Sequence, residues 1–244
     1  MRLNKFLALS GAVTSRRKAD ELIATGVVKV NGKVVIELGA SINEKDKVEV
    51  CGKTVTQQQF KYVIFYKPAG YITTLSDEKD RKTIYDILPA ELKSLKPVGR
   101  LDKDSTGLLI LTNDGDLINA LTHPSVKVAK NYRVVAKGKL KLPQLEEMAK
   151  GIEIEEGKIA YADASIVEYE GKNTVLNITL YQGMNRQIRK MLDYLGFPVI
   201  SLKRYSHATL NLDGLKRGEF KHLKPKQIKD LKKYVQKVTQ VDFQ

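Results

Sequence analysis

The chain has 244 residues, with 42 Lys and Arg against 28 Asp and Glu, a formal net charge of +14. At 42% hydrophobic residues it has enough apolar material for a core of one or two domains. No apolar run approaches the roughly 18 residues of a membrane span, so no membrane association is expected. A single cysteine, Cys51, rules out an internal disulfide framework, and the scattered His123, His207 and His222 give no metal cluster, so neither metal nor cofactor is expected. The opening MRLNKFLALSGAVTSRRK breaks into charge too early for a secretory signal, which leads us to expect a soluble, cytoplasmic protein. Clustered Lys and Arg at this net charge are the footprint of phosphate binding, hence of nucleic acid.

In chain order, Leu3, Phe6 and Leu7 recur at helical spacing and Gly11 falls where a C-terminal cap would sit. A second helix is predicted after Ser15, a good N-cap, with Ala19, Leu22 and Ile23 on one face and Gly26 as its stop. The run VVKVNGKVV places two β-branched segments around Asn31-Gly32, a strong hairpin signal, and KVEVCGKTV supplies a second strand pair. Residues 1–56 therefore read as a small α+β domain, followed by a polar linker at 57–61 and a larger domain at 62–244.

In the larger domain strands are predicted at 62–66, 107–112, 132–137 and 174–181, and helices at 142–150, 184–195 and 225–236. Their irregular alternation argues for a mixed, mainly antiparallel sheet. Residues 221–237 carry seven Lys and one Asp, expected to form a helix with a basic face.

Three features bear on chemistry. Arg16, Arg17 and Lys18 crowd the first turn of the second helix, where the macrodipole prefers anions; bare N–H groups plus cations there make a receptor for phosphate. Residues 99–116, GRLDKDSTGLLILTNDGD, bring Asp102, Asp104, Asp114 and Asp116 to the edges of an apolar strand. The last three are expected to be turn or capping residues. Residues 182–196, QGMNRQIRKMLDYLG, place Arg186, Arg189 and Lys190 on a helix whose stripe is Met184, Ile188, Met191, Leu192 and Leu195.

RLNKFLALSGAVTSRRKADELIATGVVKVNGKVV closely resembles the αL RNA-binding module that recurs in translation and RNA-modification proteins, in a match that covers about 50 residues. Together with YKPAGYITT (66–74), GRLDKDSTGLLILTNDG (99–115), KNYRVVAKG (130–138) and NRQIRKML (185–192), the chain resembles the ribosomal RNA pseudouridine synthases that carry this module at the N-terminus. The resemblance implies a catalytic domain with a long sheet in two halves, a cleft between them, and no cofactor. It implies Asp102 as the carboxylate acting at ribose C1′, as nucleophile or as base; Arg189 as its ion-pair partner; and Tyr132 as the ring against the target base. Arg100 would fill the place of the extruded uridine and Leu202 would wall the pocket. Arg16, Arg17 and Lys18 would contact RNA phosphates. Lys67 and Pro68 are given structural roles. The expected partner is ribosomal RNA or a pre-ribosomal particle, 23S rather than 16S, and the expected state is a monomer. A non-catalytic RNA-binding protein would not require Asp102 and Arg189 within long matched segments, and a glycoside hydrolase would need a second placed carboxylic acid that the sequence does not offer.

Overall fold

The structure, a computed structural model, describes residues 1–75, 77–212 and 214–241. The chain forms two compact units, Met1–Phe60 and Lys61–Gln244.

The first unit opens with helices α1 (Leu3–Leu9) and α2 (Arg16–Ala24). Ser15 caps α2, its Oγ accepting from the Lys18 N–H at 3.1 Å. Leu3, Leu7, Ala19 and Ile23 are buried against Val28, Ile42 and Val48 of a small antiparallel sheet. That sheet has strands β1 (Val28–Val30), β2 (Lys33–Val34), β3 (Val48–Val50) and β4 (Lys53–Thr54) in the order β2-β1-β3-β4. Both hairpins turn through pairs of positive φ, Asn31-Gly32 at 51° and 81° and Cys51-Gly52 at 48° and 76°, as two-residue turns matched to strand twist require. The backbone N–H of Gln58 returns to the Leu9 carbonyl at 3.1 Å.

The second unit is built on strands β5 (Tyr62–Lys67), β6 (Lys96–Pro97) and β7 (Thr106–Thr112), helix α3 (Gly115–Thr122), strand β8 (Lys130–Lys137) and helix α4 (Leu142–Lys150). There follow β9 (Ile152–Glu155), β10 (Lys158–Ala160), β11 (Asp163–Glu170), β12 (Asn173–Leu180), helix α5 (Gln187–Tyr194), β13 (Val199–His207), β14 (Leu210–Asn211), β15 (Phe220–His222) and helix α6 (Pro225–Val241). A nine-stranded sheet runs β11-β12-β8-β13-β7-β5-β15, with β14 on β13 and β6 on β7. Every pairing is antiparallel except one: β13 meets β7 in parallel, Lys203 opposite Thr106 and Arg204 opposite Gly107. That junction divides the sheet into the two halves expected.

Each half has its own core. On one side Val134, Ala136, Leu176, Ile178 and Leu202 pack under α4 and α5 through Leu145, Met148, Ile188, Met191 and Leu192. On the other, β5 and β7 are buried on both faces, which is why YVIFY and GLLIL read as unbroken apolar runs. Tyr62, Ile64, Leu108 and Ile110 face α3 and α6, while Val63, Phe65, Leu109 and Leu111 face the segment containing Ile84, Leu88, Leu92 and Leu95. Asp114 ties the first of these layers together. It caps α3 through the Leu117 N–H (3.1 Å), accepts from the Tyr62 hydroxyl (2.8 Å) and lies 3.4 Å from Lys232 of α6. Its expected capping role is met.

The helix predicted at 184–195 is shorter, because Arg186 adopts left-handed φ/ψ (50°, 33°) and breaks the turn before Gln187. The helix predicted at 225–236 runs on to Val241. The sequence reading omitted α3, β11 and β13; β11 is an edge strand with a weak apolar pattern, and β13 places Lys203, Arg204 and His207 inside a strand.

Candidate active site

A cleft of about 400 Å³ opens at the junction of the two half-sheets. Its floor is Tyr132 of β8 with Leu202, Arg204 and His207 of β13; one wall is the loop 98–105, and another is the chain from Leu180 into α5. Of the residues singled out in the sequence, Arg100, Asp102, Tyr132, Arg189 and Leu202 all line this cleft. Arg16, Arg17 and Lys18 are exposed on the first unit, where Arg16 donates to Asn4 Oδ1 (3.2 Å) and Lys18 pairs with Glu21 (2.6 Å).

The loop that carries Asp102 is held from beneath. Lys67, at the end of β5, is fully buried, and its ammonium donates to the carbonyls of Ser105 (2.8 Å), Asp102 (2.9 Å), Pro68 (3.1 Å) and Lys103 (3.3 Å). The Thr73 hydroxyl donates to the Leu101 carbonyl (2.9 Å) and accepts from the Leu101 N–H (3.3 Å), while Gly70 N–H reaches Lys103 O (2.8 Å). The segment YKPAGYITT is thus the clamp for the Asp102 loop. The signal for it was present in the sequence, a Lys at the end of an otherwise apolar strand, but its charge gave no hint of complete burial. Burial pushes Lys67 down to about 8, against the pull of the neighbouring Asp102 and Asp104 carboxylates.

Gly107 makes the junction possible. A Cβ on it would lie 2.1 Å from the Arg204 carbonyl oxygen, and its φ is +119°. Arg204, almost completely buried, donates from Nε to the Leu108 carbonyl at 2.8 Å and so cross-links the strands that meet there.

The ion pair at Asp102 differs from expectation. Among the described residues the guanidinium within 4 Å of its carboxylate is that of Arg186, at 3.9 Å, not that of Arg189. The left-handed turn at Arg186 aims its side chain back over the cleft, whereas Arg189, one turn along α5, reaches the Val199 carbonyl at 3.5 Å and leaves its buried Nε without a partner. Gln187 secures this turn, donating to the Tyr161 carbonyl (3.0 Å) and accepting from the Met184 N–H (3.3 Å).

The cleft thus offers one carboxylate, several guanidinium groups, an aromatic ring and apolar walls, a set suited to holding a nucleotide with its base against Tyr132 and its sugar beside a carboxylate. Comparisons with known proteins give the family. The family described as RNA pseudouridylate synthase matches residues 61–194, and the S4 domain family matches residues 1–48. The chain belongs to the RNA pseudouridine synthase family.

Relatives of this pseudouridine synthase span nearly its whole length. A Bacillus subtilis protein named ribosomal large subunit pseudouridine synthase B is 42% identical over 233 residues, 95% of each chain. An Aquifex aeolicus protein named as an uncharacterized RNA pseudouridine synthase is 43% identical over 237 residues, 96% of this chain and 95% of its own. A crystal structure titled pseudouridylate synthase superimposes with a TM-score of 0.67 at 28% identity, covering 95% of this chain and 99% of that one.

Proposed function

We propose that this pseudouridine synthase isomerises a uridine of ribosomal RNA, in the large (23S) rather than the small (16S) subunit, with Asp102 acting at ribose C1′ after the base is extruded. The observation that carries the reading is the position of Asp102: on a loop clamped by Lys67 and Thr73, in a cleft whose floor is Tyr132 and Leu202. The name of the Bacillus relative supports the large-subunit target.

In the reaction the N1–C1′ bond breaks, the uracil turns, C5 bonds to C1′, and the C5 proton is lost while N1 gains one; no electrons enter or leave, so no cofactor is called for. Tyr132 and Leu202 enclose the base and Arg100 enters the stack it vacates. Arg186, 3.9 Å from the carboxylate, and Arg189 on the next turn of α5 are the cations beside Asp102. Residues 1–56 bind RNA, with Arg16, Arg17 and Lys18 toward its phosphates, residues 57–61 join the domains, and residues 62–244 carry the reaction. The match to the S4 family over 1–48 supports that division. The enzyme is read as a cytoplasmic monomer acting on ribosomal RNA or a pre-ribosomal particle.

Mapping pseudouridine in ribosomal RNA from cells lacking the protein tests the assignment. One site vanishing from 23S RNA, restored by the wild type and not by Asp102→Asn, is the expected result. With purified protein, Asp102→Asn lowers turnover by at least about a thousandfold while RNA affinity stays within about twofold. Loss of binding in step with turnover, or restoration by Asp102→Asn, would refute it.

A further inference from the structure

The cleft is lined by more cations than carboxylates. Among the residues lining it there is one carboxylate, Asp102, against Arg100, Lys130, Arg186, Arg189 and Arg204. Three nitrogen-bearing side chains converge from the paired strands β8 and β13. His207 sits opposite Lys130, and Arg204 opposite Tyr132, with a bulge between Arg204 and Ser206. Arg204 is 2% exposed and His207 not exposed at all. Arg204 Nη2 and both ring nitrogens of His207 are buried without a hydrogen-bond partner, while Lys130 donates to the Val128 carbonyl at 2.8 Å. Buried donors left unsatisfied cost about 1–3 kcal/mol each, more when charged, so a cluster of them lining a cleft needs an acceptor.

We propose that Lys130, Arg204 and His207 form an anion subsite that takes a phosphate of the RNA strand, next to the nucleotide whose sugar lies at Asp102. The inference rests on the RNA-isomerase reading and deepens it. A phosphodiester fits the chemistry of the three groups: a planar guanidinium, a point-charge ammonium and an imidazole that supplies one N–H, all donating to one tetrahedral anion. Lys130, the least buried of the three, meets the anion first, and Arg204 and His207 close on it from behind. Burial pushes Lys130 down to about 8, with Arg204 adding to the effect, and the same two causes act on His207; a bound anion relieves both. Such a subsite anchors the backbone so that the extruded nucleotide is held by its phosphate while its base is free to turn.

The test uses the full chain labelled with nitrogen-15 and inorganic phosphate as the probe. Saturable movement of the His207 ring signals by phosphate, absent with chloride at equal ionic strength and weakened about tenfold by Lys130→Met, is expected. With ribosomal RNA fragments, Lys130→Met raises KM about tenfold and lowers the slope of log affinity against log salt by about one, while Lys130→Arg restores both. Immobile His207 signals, phosphate binding unchanged in Lys130→Met, or an unchanged KM and salt slope would each overturn the subsite. Wild-type protein that binds phosphate in this way yet forms no pseudouridine in ribosomal RNA would instead count against the isomerase reading and leave the subsite standing.

Discussion

The carboxylate of Asp102 faces the guanidinium of Arg186 at 3.9 Å, with both side chains partly exposed, 32% and 43%. At that separation and exposure the pair contributes only about 0–1 kcal/mol. Arg186→Ala is therefore expected to lower kcat/KM by less than about tenfold. Arg189, whose buried Nε has no hydrogen-bond partner and whose Nη1 reaches the Val199 carbonyl, is the arginine that the resemblance places against Asp102, and Arg189→Ala is expected to cost about a hundredfold. Steady-state kinetics on a ribosomal RNA fragment separate the two; equal losses would unseat Arg189, and a larger loss for Arg186→Ala would make Arg186 the working partner.

Lys67 holds four carbonyls of the segments at the cleft, and two of them belong to Asp102 and Ser105. Lys67→Met removes the ammonium from the carbonyls of Pro68 and Ser105, while those of Asp102 and Lys103 keep only their backbone donors, Ser105 N–H (3.1 Å) and Gly70 N–H (2.8 Å). A loss of about 2–3 kcal/mol in unfolding free energy is expected, read from urea titration. Turnover of the folded fraction should fall at least about tenfold with RNA affinity unchanged, because the loop that positions Asp102 loses its support while the binding surface is untouched.

The parallel contact of β7 and β13 depends on Gly107. Gly107→Ala drives a methyl against the Arg204 carbonyl, 2.1 Å away, at a φ that a side chain resists. About 3 kcal/mol of destabilisation is expected, equivalent to a Tm lower by roughly 10 °C. Calorimetry of the variant decides it, and a Tm within a degree or two of wild type would mean that the strands separate there at little cost.

His207 gives the molecule a definite pH dependence. Burial first, then the neighbouring Arg204 and Lys130, hold its imidazole well below 6.5. A group with a lowered folded pKa binds fewer protons in the native than in the unfolded state once pH drops below the unfolded value. Stability is thus fully present above pH 6.5 and is lost as pH falls, by about 1.4 kcal/mol for each unit. In phosphate-free buffer, urea midpoints of wild type between about pH 6 and 5 should fall more steeply than those of His207→Gln by that amount. Parallel curves would show that the ring is protonated on folding without penalty.

Much of the architecture was written in short stretches of sequence. Ser15 caps its helix, Asn31-Gly32 turns its hairpin, and the apolar runs at 62–66 and 107–112 are strands, because each outcome is decided by residues within a few positions of one another. The motif containing Asp102 and those containing Tyr132, Arg189 and Leu202 were likewise recognisable, and the fold brings them to one cleft. The sequence by itself therefore determined the local elements and the family's chemistry. Tertiary structure alone decided that Lys67 is a buried clamp, that Gly107 lets two half-sheets join in parallel, and that Arg186 faces Asp102. Each of these depends on contacts between residues far apart in the chain, where burial and distance, rather than residue type, set what a charge or a missing side chain does.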